Sequence, residues 1–313
     1  MKFLALIQTL LHAGGLRMDS ASELFVDQQL EAIEAQAYKL EFADLKARDF
    51  LPLKTDVNPG ADTFSYRVLT PFGRADFVAD YADELPATGL RGEKKTGKVE
   101  TIANSYGYSA QDLRAAAMAG TPLDSEMMEA AMRAHEERVD ATALVGDTKL
   151  GFIGLFNHPD IAVISTSGVF SSASGATMLK DLHKLANKVV EQSKGKFMAD
   201  TIILPLTTYN LIAATPVDTA GSVQDTVLAV FLKNRADIKQ VLWSNALETL
   251  SATGAKRALA YKRDGKVVQL CIPMEPVQHE PEKRGLYWTR PIESRFGGCL
   301  VRQPLAMAYM DGF

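Results

Sequence analysis

Cysteine is nearly absent from this chain: Cys271 and Cys299 are the only two in 313 residues. Two cysteines cannot build a disulfide framework, and neither stands at the spacing to other Cys or His residues that a structural zinc site needs. A reducing compartment is the simplest setting. Long apolar runs are also missing, and no stretch approaches the ~20 residues needed to span a bilayer. Nor is there an excess of positive charge. A formal net charge of -4 and a pI near 5.8 argue against a surface devoted to neutralising nucleic-acid phosphates, leaving DNA contacts weak or local. Histidine is sparse: His12, His135, His158, His183 and His279 are scattered, and no serine has the flanking glycines of a nucleophile elbow. No acid–base or nucleophile constellation can be assembled from them. Internal repeats and low-complexity tracts are absent too.

What is present is the composition of a protein that folds in water, 47% hydrophobic and 23% charged. At this length two subdomains, or one large domain with extensions, are expected. The opening MKFLALIQTLLHAGG imitates a signal peptide but lacks a small-x-small cleavage site. It reads better as an arm whose Phe3, Leu6, Ile7, Leu10 and Leu11 dock on a neighbouring surface. Residues 20–47 carry Val26, Leu30, Ile33, Ala37 and Leu40 at helical spacing, and RDFLPL ends that helix before Pro52. TFSYRVL alternates as a half-buried strand.

From Pro71 to Lys98 neither period holds for long, and the charges are sorted. Asp76, Asp80, Asp83 and Glu84 come first, then Arg91, Glu93, Lys94, Lys95 and Lys98. The two limbs are expected to pair within a hairpin or between chains. VETIANSYGYS is β-rich. Thr121, Pro122 and Asp124 then start a long helix running to about Val145, with Met128, Ala131, His135, Val139 and Ala143 as its stripe and Glu136, Glu137, Arg138 and Asp140 on its other faces. Its length would be about 36 Å. After it, Gly146, Gly151, Gly154 and Asn157 mark a glycine-permitted turn, with Phe152, Ile153, Leu155 and Phe156 as its apolar anchors. Helices over SGATMLKDLHKLANKVVEQSK, TTYNLIA and SVQDTVLAVFLKN, with a strand in FMADTIILP, give α/β alternation. RALAYKRDGKVVQLCIP reads as a hairpin about Asp264 and Gly265. The last stretch reads as a strand pair broken at Gly297 and Gly298.

Two motifs tempt and fall short. Gly92–Lys98 fits G-x-x-x-x-G-K, but Val99 stands where a magnesium-binding Ser or Thr belongs, and neither a strand before it nor a helix after it is read. An α/β enzyme with a nucleotide loop here is the weakest alternative. His135-Glu136-Glu137-Arg138 begins like a zinc-protease helix but has Val139 in place of the second His, so no metal or other cofactor is expected and no catalytic residue is assigned.

The order of elements, with FVDQQLEAIEAQAY (25–38), YGYSAQDLRAA (106–116), HEERVDATALVGD (135–147), GFIGLFNHPDI (151–161) and RFGGCLVRQPLAMAY (295–309), resembles a tailed-bacteriophage major capsid protein of the Hong Kong 97 type. The resemblance covers residues 24–313. It implies an α+β fold with an N-terminal arm and helix (1–52), an extended E-loop (60–105), a P domain (106–164 and 256–313) holding the spine helix (122–146), and an axial A domain (165–255). It also implies a structural, non-enzymatic role: copies assembling as pentamers and hexamers into an icosahedral head around double-stranded DNA, in the virion, after assembly in the host cytoplasm. Portal, scaffold and decoration proteins would be partners, DNA would be touched weakly at the inner wall, and no membrane would be involved. The charged residues of the loop would contact other subunits, and Glu136, Arg138 and Asp140 would offer polar contacts from the spine. Some capsids of this fold cross-link a loop lysine to an asparagine; no acceptor aligns here, so cross-linking is not expected. Encapsulin shells, which share the fold and enclose enzymes, are the alternative.

Overall fold

The computed structural model describes residues 45–75, 77, 87–119, 123–168, 170, 173–217, 225–250 and 256–313. The arm, nearly all of the helix expected over 20–47, the acidic residues Asp76, Asp80, Asp83 and Glu84, and the Thr121–Pro122 cap lie outside the described residues.

The centre is a five-stranded mixed sheet. Its strands are β7 (Ala162–Ser165), β8 (Thr201–Pro205), β9 (Gln240–Ser244), β10 (Arg257–Tyr261) and β16 (Met307–Asp311), in the order β7-β16-β10-β8-β9. β10 runs antiparallel to both of its neighbours, and the two edge strands are parallel to theirs. Successive side chains on a strand point to opposite faces, and the sequence loads both. Ile202, Leu204, Ala258, Ala260, Ala308 and Met310 share one core with the helices α4 (Gly175–Gln192), α5 (Leu206–Ala214) and α6 (Val227–Asn234). Ile203, Leu259, Tyr261, Met307 and Tyr309 share the other with the short helix α1 (Ala47–Phe50) and the end of the long helix α3 (Leu123–Leu144). A strand buried on both faces reads as an unbroken apolar run, which is how TIILP looks in sequence.

α4 buries Met178, Leu182, Leu185, Ala186 and Val189, the i, i+3, i+4, i+7 stripe of an amphipathic helix. On α3 the expected stripe holds at Ala131, His135, Val139 and Ala143, while Met128 is 37% exposed. α3 lies against a second sheet in which β14 (Tyr287–Phe296) pairs along its whole length with β4 (Glu100–Ser109) and, on its other edge, with β12 (Met274–Gln278) and β13 (Glu282–Arg284). β11 (Val268–Cys271) lies between β1 (Leu53–Lys54) and β15 (Gly298–Val301) in a third sheet.

Three expectations need correction. β10 and β11 do not form a hairpin, because both edges of β10 are taken by β8 and β16, and β11 pairs elsewhere. The C-terminal stretch is not a strand pair: β14, β15 and β16 fall in three sheets, redirected in part where Gly298 adopts φ +81°. Finally, Gly89–Lys98 is a regular strand, β3, paired over ten residues with β2 (Thr63–Phe72); its glycines and lysines hide the alternation. A helix over Ala110–Ala119, α2, also separates β4 from α3.

Candidate functional site

The β2–β3 hairpin is a two-stranded ribbon that pairs with no further strand among the described residues. Its register puts Thr63 opposite Lys98, Arg67 opposite Lys94, Tyr66 opposite Lys95, Val68 opposite Glu93 and Thr70 opposite Arg91. The basic limb therefore pairs with β2, whereas the acidic segment lies outside the described residues. Directly opposed residues share a face, so Arg67, Lys94 and Lys98 line one side together with Leu69 and Leu90, and every residue of that side is exposed. The other side is half-buried at Phe64, Tyr66 and Val68. Gly92–Lys98 lies wholly inside β3. An extended ladder leaves no phosphate-cradling loop before a helix, and the nucleotide-loop alternative falls with it.

The spine residues expected to offer contacts to other copies have partners inside the chain. One carboxylate oxygen of Asp140 accepts the backbone N–H groups of Lys46 and Ala47 at 2.8 and 2.7 Å. It thereby caps α1, whose own N-cap residue makes no side-chain cap bond. Burial pushes the Asp140 carboxyl above the usual range, with the two N–H donors pulling the other way. Glu136 takes the Arg48 guanidinium at 2.8 and 3.0 Å, and the same guanidinium holds Glu275 on β12 at 2.7 and 2.9 Å. Hydrogen bonds to Glu275 and then Glu136 hold the Arg48 pKa above its usual value. The cluster ties α1, the spine and the second sheet together. Arg138 pairs with Asp147 just beyond the helix end.

Backbone and side-chain bonds hold the glycine-rich turn against the end of the long helix. Leu155 and Phe156 N–H donate to the carbonyls of Ala143 and Leu144 at 2.9 Å, and Asn157 Nδ2 donates to that of Val145. Three carbonyls that the helix end leaves open are thus satisfied. Gly146 has φ +91° and Gly151 φ +75°, the region where glycine carries no Cβ penalty. At Gly154 a Cβ would lie 2.4 Å from the Leu144 oxygen and from the Val145 carbonyl carbon. Leu155 and Phe156 are fully buried, and Phe152 packs on Phe296 at 5.6 Å. Ile153, expected as an anchor, is 44% exposed.

His135 is buried against the second sheet, its Nε2 2.5 Å from Ser294 Oγ. It is a core histidine, more deeply buried than the solvated or core-edge position its sequence context suggests. Among the described residues no three His, Cys, Asp or Glu side chains converge as a metal site would require. Among the described residues the distinctive exposed feature is the ribbon, held by a body in which Glu136, Arg138 and Asp140 have partners within the chain.

The sequence profile of the family described as Major capsid protein matches residues 73–313. Among solved structures the chain is similar to the capsid of Myoviridae phage XM1, with TM-score 0.82, 18% identity, and 96% of this chain and 100% of that one covered. It is similar to a chain of Mycobacterium phage Adephagia at TM-score 0.61 and 15% identity, over 95% and 97% of the two chains. Likeness to a virus-like particle from Pyrococcus furiosus is weaker, TM-score 0.52 at 10% identity over 84% and 90%. No match was found among curated protein sequences. The structures speak to the fold and the profile, covering well over half of the chain, speaks to descent: this chain belongs to the major capsid protein family and has the Hong Kong 97-like fold of phage capsids.

Proposed function

We propose that this protein is the tile of an icosahedral phage head, its copies forming pentamers and hexamers that close around double-stranded DNA. The observation that carries the reading is the β2–β3 ribbon. A lone two-stranded hairpin is marginal in water, and this one leaves Leu69, Phe72 and Leu90 more than half exposed and offers unpaired strand edges. A second copy laid against it would bury those side chains. Repeated around a ring, such a heterologous contact closes into a capsomer.

In this reading residues 60–105 are the E-loop, 106–164 with 256–313 the P domain around the spine, 165–255 the axial A domain, and 1–52 the arm. Arg91, Glu93, Lys94, Lys95 and Lys98, with Asp76, Asp80, Asp83 and Glu84, serve contacts between subunits. Portal, scaffold and decoration proteins complete the particle, which assembles in the host cytoplasm. The mildly acidic chain touches packaged DNA weakly at the inner wall. Negative-stain microscopy of the expressed protein tests the reading: capsomers, shells or tubes are expected, and a strictly monomeric solution at high concentration overturns it.

A further inference from the structure

Where the ribbon leaves the body, a cavity of about 300 Å³ opens between β2, the turn before it and Arg302, with Lys54, Asp56, Asn58 and Tyr66 in its walls. Arg302 follows β15, and its guanidinium lies over the Tyr66 ring at 5.3 Å. A guanidinium carries five donors. Among the described residues none of these reaches an acceptor, and Nε is fully buried without one. The nearby carboxylate, Asp56, is held by Lys54 at 2.7 Å. The cavity therefore contains two cations and one anion: Asp56 bonds Lys54 directly and feels the Arg302 charge only at longer range, so the guanidinium stacked on the aromatic wall is the cation left without an acceptor. A buried donor without an acceptor is costly, and most such groups in folded proteins have a partner. Other orphaned arginine nitrogens, those of Arg235, Arg290 and Arg295, belong to guanidiniums that bond through their remaining nitrogens. Arg302 differs from all three.

We propose that this hinge cavity is an oxyanion site: Arg302, fixed over Tyr66, receives a carboxylate or phosphate through its unused fork. A planar fork matches two oxygens of either group. The site lies at the base of the ribbon, so its occupant bridges ribbon and body and fixes the angle between them. On the shell reading above, the oxyanion is an acidic side chain of a neighbouring copy; the same chemistry would also accept free phosphate.

The test uses the full chain and three variants, Arg302→Gln, Arg302→Lys and Tyr66→Phe. Unassembled protein is melted with inorganic phosphate against sodium chloride at equal ionic strength. Phosphate at ten times its dissociation constant should raise the Tm of the parent by about 2–3 °C. Tyr66→Phe, which keeps the ring, should follow the parent, Arg302→Lys should respond less, and Arg302→Gln not at all. Equal responses in the parent and Arg302→Gln, or no response in the parent, overturn the site. Sedimentation then separates the sources. Weaker assembly of Arg302→Gln, with phosphate competing against assembly of the parent, assigns the oxyanion to a second copy. Unchanged assembly beside specific phosphate binding assigns it to free phosphate. A parent that never assembles refutes the shell reading while leaving the melting comparison to decide the site.

Discussion

Replacing Gly154 by alanine adds a single methyl group, and the structure says what it meets. The new Cβ would lie 2.4 Å from the Leu144 carbonyl oxygen, 2.4 Å from the Val145 carbonyl carbon and 2.6 Å from the Gly146 nitrogen. All are backbone atoms at the end of the spine helix, so no rotamer relieves the clash and the 154–156 segment must move away. Moving it breaks the bonds from Leu155 and Phe156 N–H to Ala143 and Leu144, about 1 kcal/mol each. It also lifts two fully buried side chains; half of their burial is worth about 2 kcal/mol. The expected loss is about 4 kcal/mol. Gly151 is the internal control. Its φ of +75° disfavours alanine but nothing lies within 4 Å of the added Cβ, so Gly151→Ala should cost about 1–2 kcal/mol, the left-handed penalty alone. Urea titration of unassembled protein, followed by far-UV circular dichroism, measures both. A Gly154→Ala loss no greater than that of Gly151→Ala would refute the steric argument, and valine at 154 should abolish particles altogether.

Burial holds the His135 pKa below its ordinary value near 6.5, with Glu136 pulling the other way. The unfolded chain takes up a proton there as pH falls through about 6.5 while the folded chain resists, so stability is full above that pH and declines below it. Burial lowers His158 and His183 as well, so the readout is parent against His135→Gln: the variant's stability should fall less steeply between pH 6.5 and 5, by up to about 1.4 kcal/mol per pH unit, and equal slopes refute the assignment. Asp140→Ala leaves the Lys46 and Ala47 N–H groups without their cap and should cost about 1–2 kcal/mol in the same titration; a loss indistinguishable from zero would mean that the cap is dispensable. Burial pushes the Cys271 thiol up to about 11 and that of Cys299 up to about 12. Because the thiolate is the reactive form, a thiol-disulfide dye at pH 8 should leave both untouched in the folded protein and label both in urea. Rapid labelling without denaturant would contradict that environment.

Much of the local structure is legible because it depends on side-chain period alone. The α4 stripe, the apolar run of β8 and the capacity of Gly146, Gly151 and Gly154 to turn the chain all follow from residue type and spacing. Strand β3 escapes such a reading because its exposed face holds Lys94, Thr96 and Lys98 while its other face holds Gly89 and Gly97, so no apolar position recurs. Phe72 and Phe64 lie over those glycines from the opposite strand, within about 3 Å of where a Cβ would stand. The apolar contribution to this face thus comes from the partner. The spine charges mislead in the opposite way. Glu136, Arg138 and Asp140 look solvent-facing in sequence, yet Arg48, Asp147 and the N-terminus of α1 meet them from up to 94 residues away. Arg302 and Tyr66 lie still further apart along the chain, and no spacing rule links them.

Composition and periodicity by themselves determined that two cysteines cannot build a disulfide framework, that a long helix ends at a glycine turn, and that an α/β segment follows. Those properties depend on each residue's own chemistry and its near neighbours. Tertiary structure alone decided which strands pair, which charges are neutralised and which are left over. A strand's hydrogen-bonding edge carries no side-chain signature, so β10 and β11 could read as a hairpin and still enter different sheets. A charge likewise shows in sequence only that it exists; whether it finds a counter-ion depends on what the fold brings within about 4 Å. By that criterion Arg48 is neutralised by Glu136 and Glu275, while Arg302 is left in its cavity without an acceptor among the described residues.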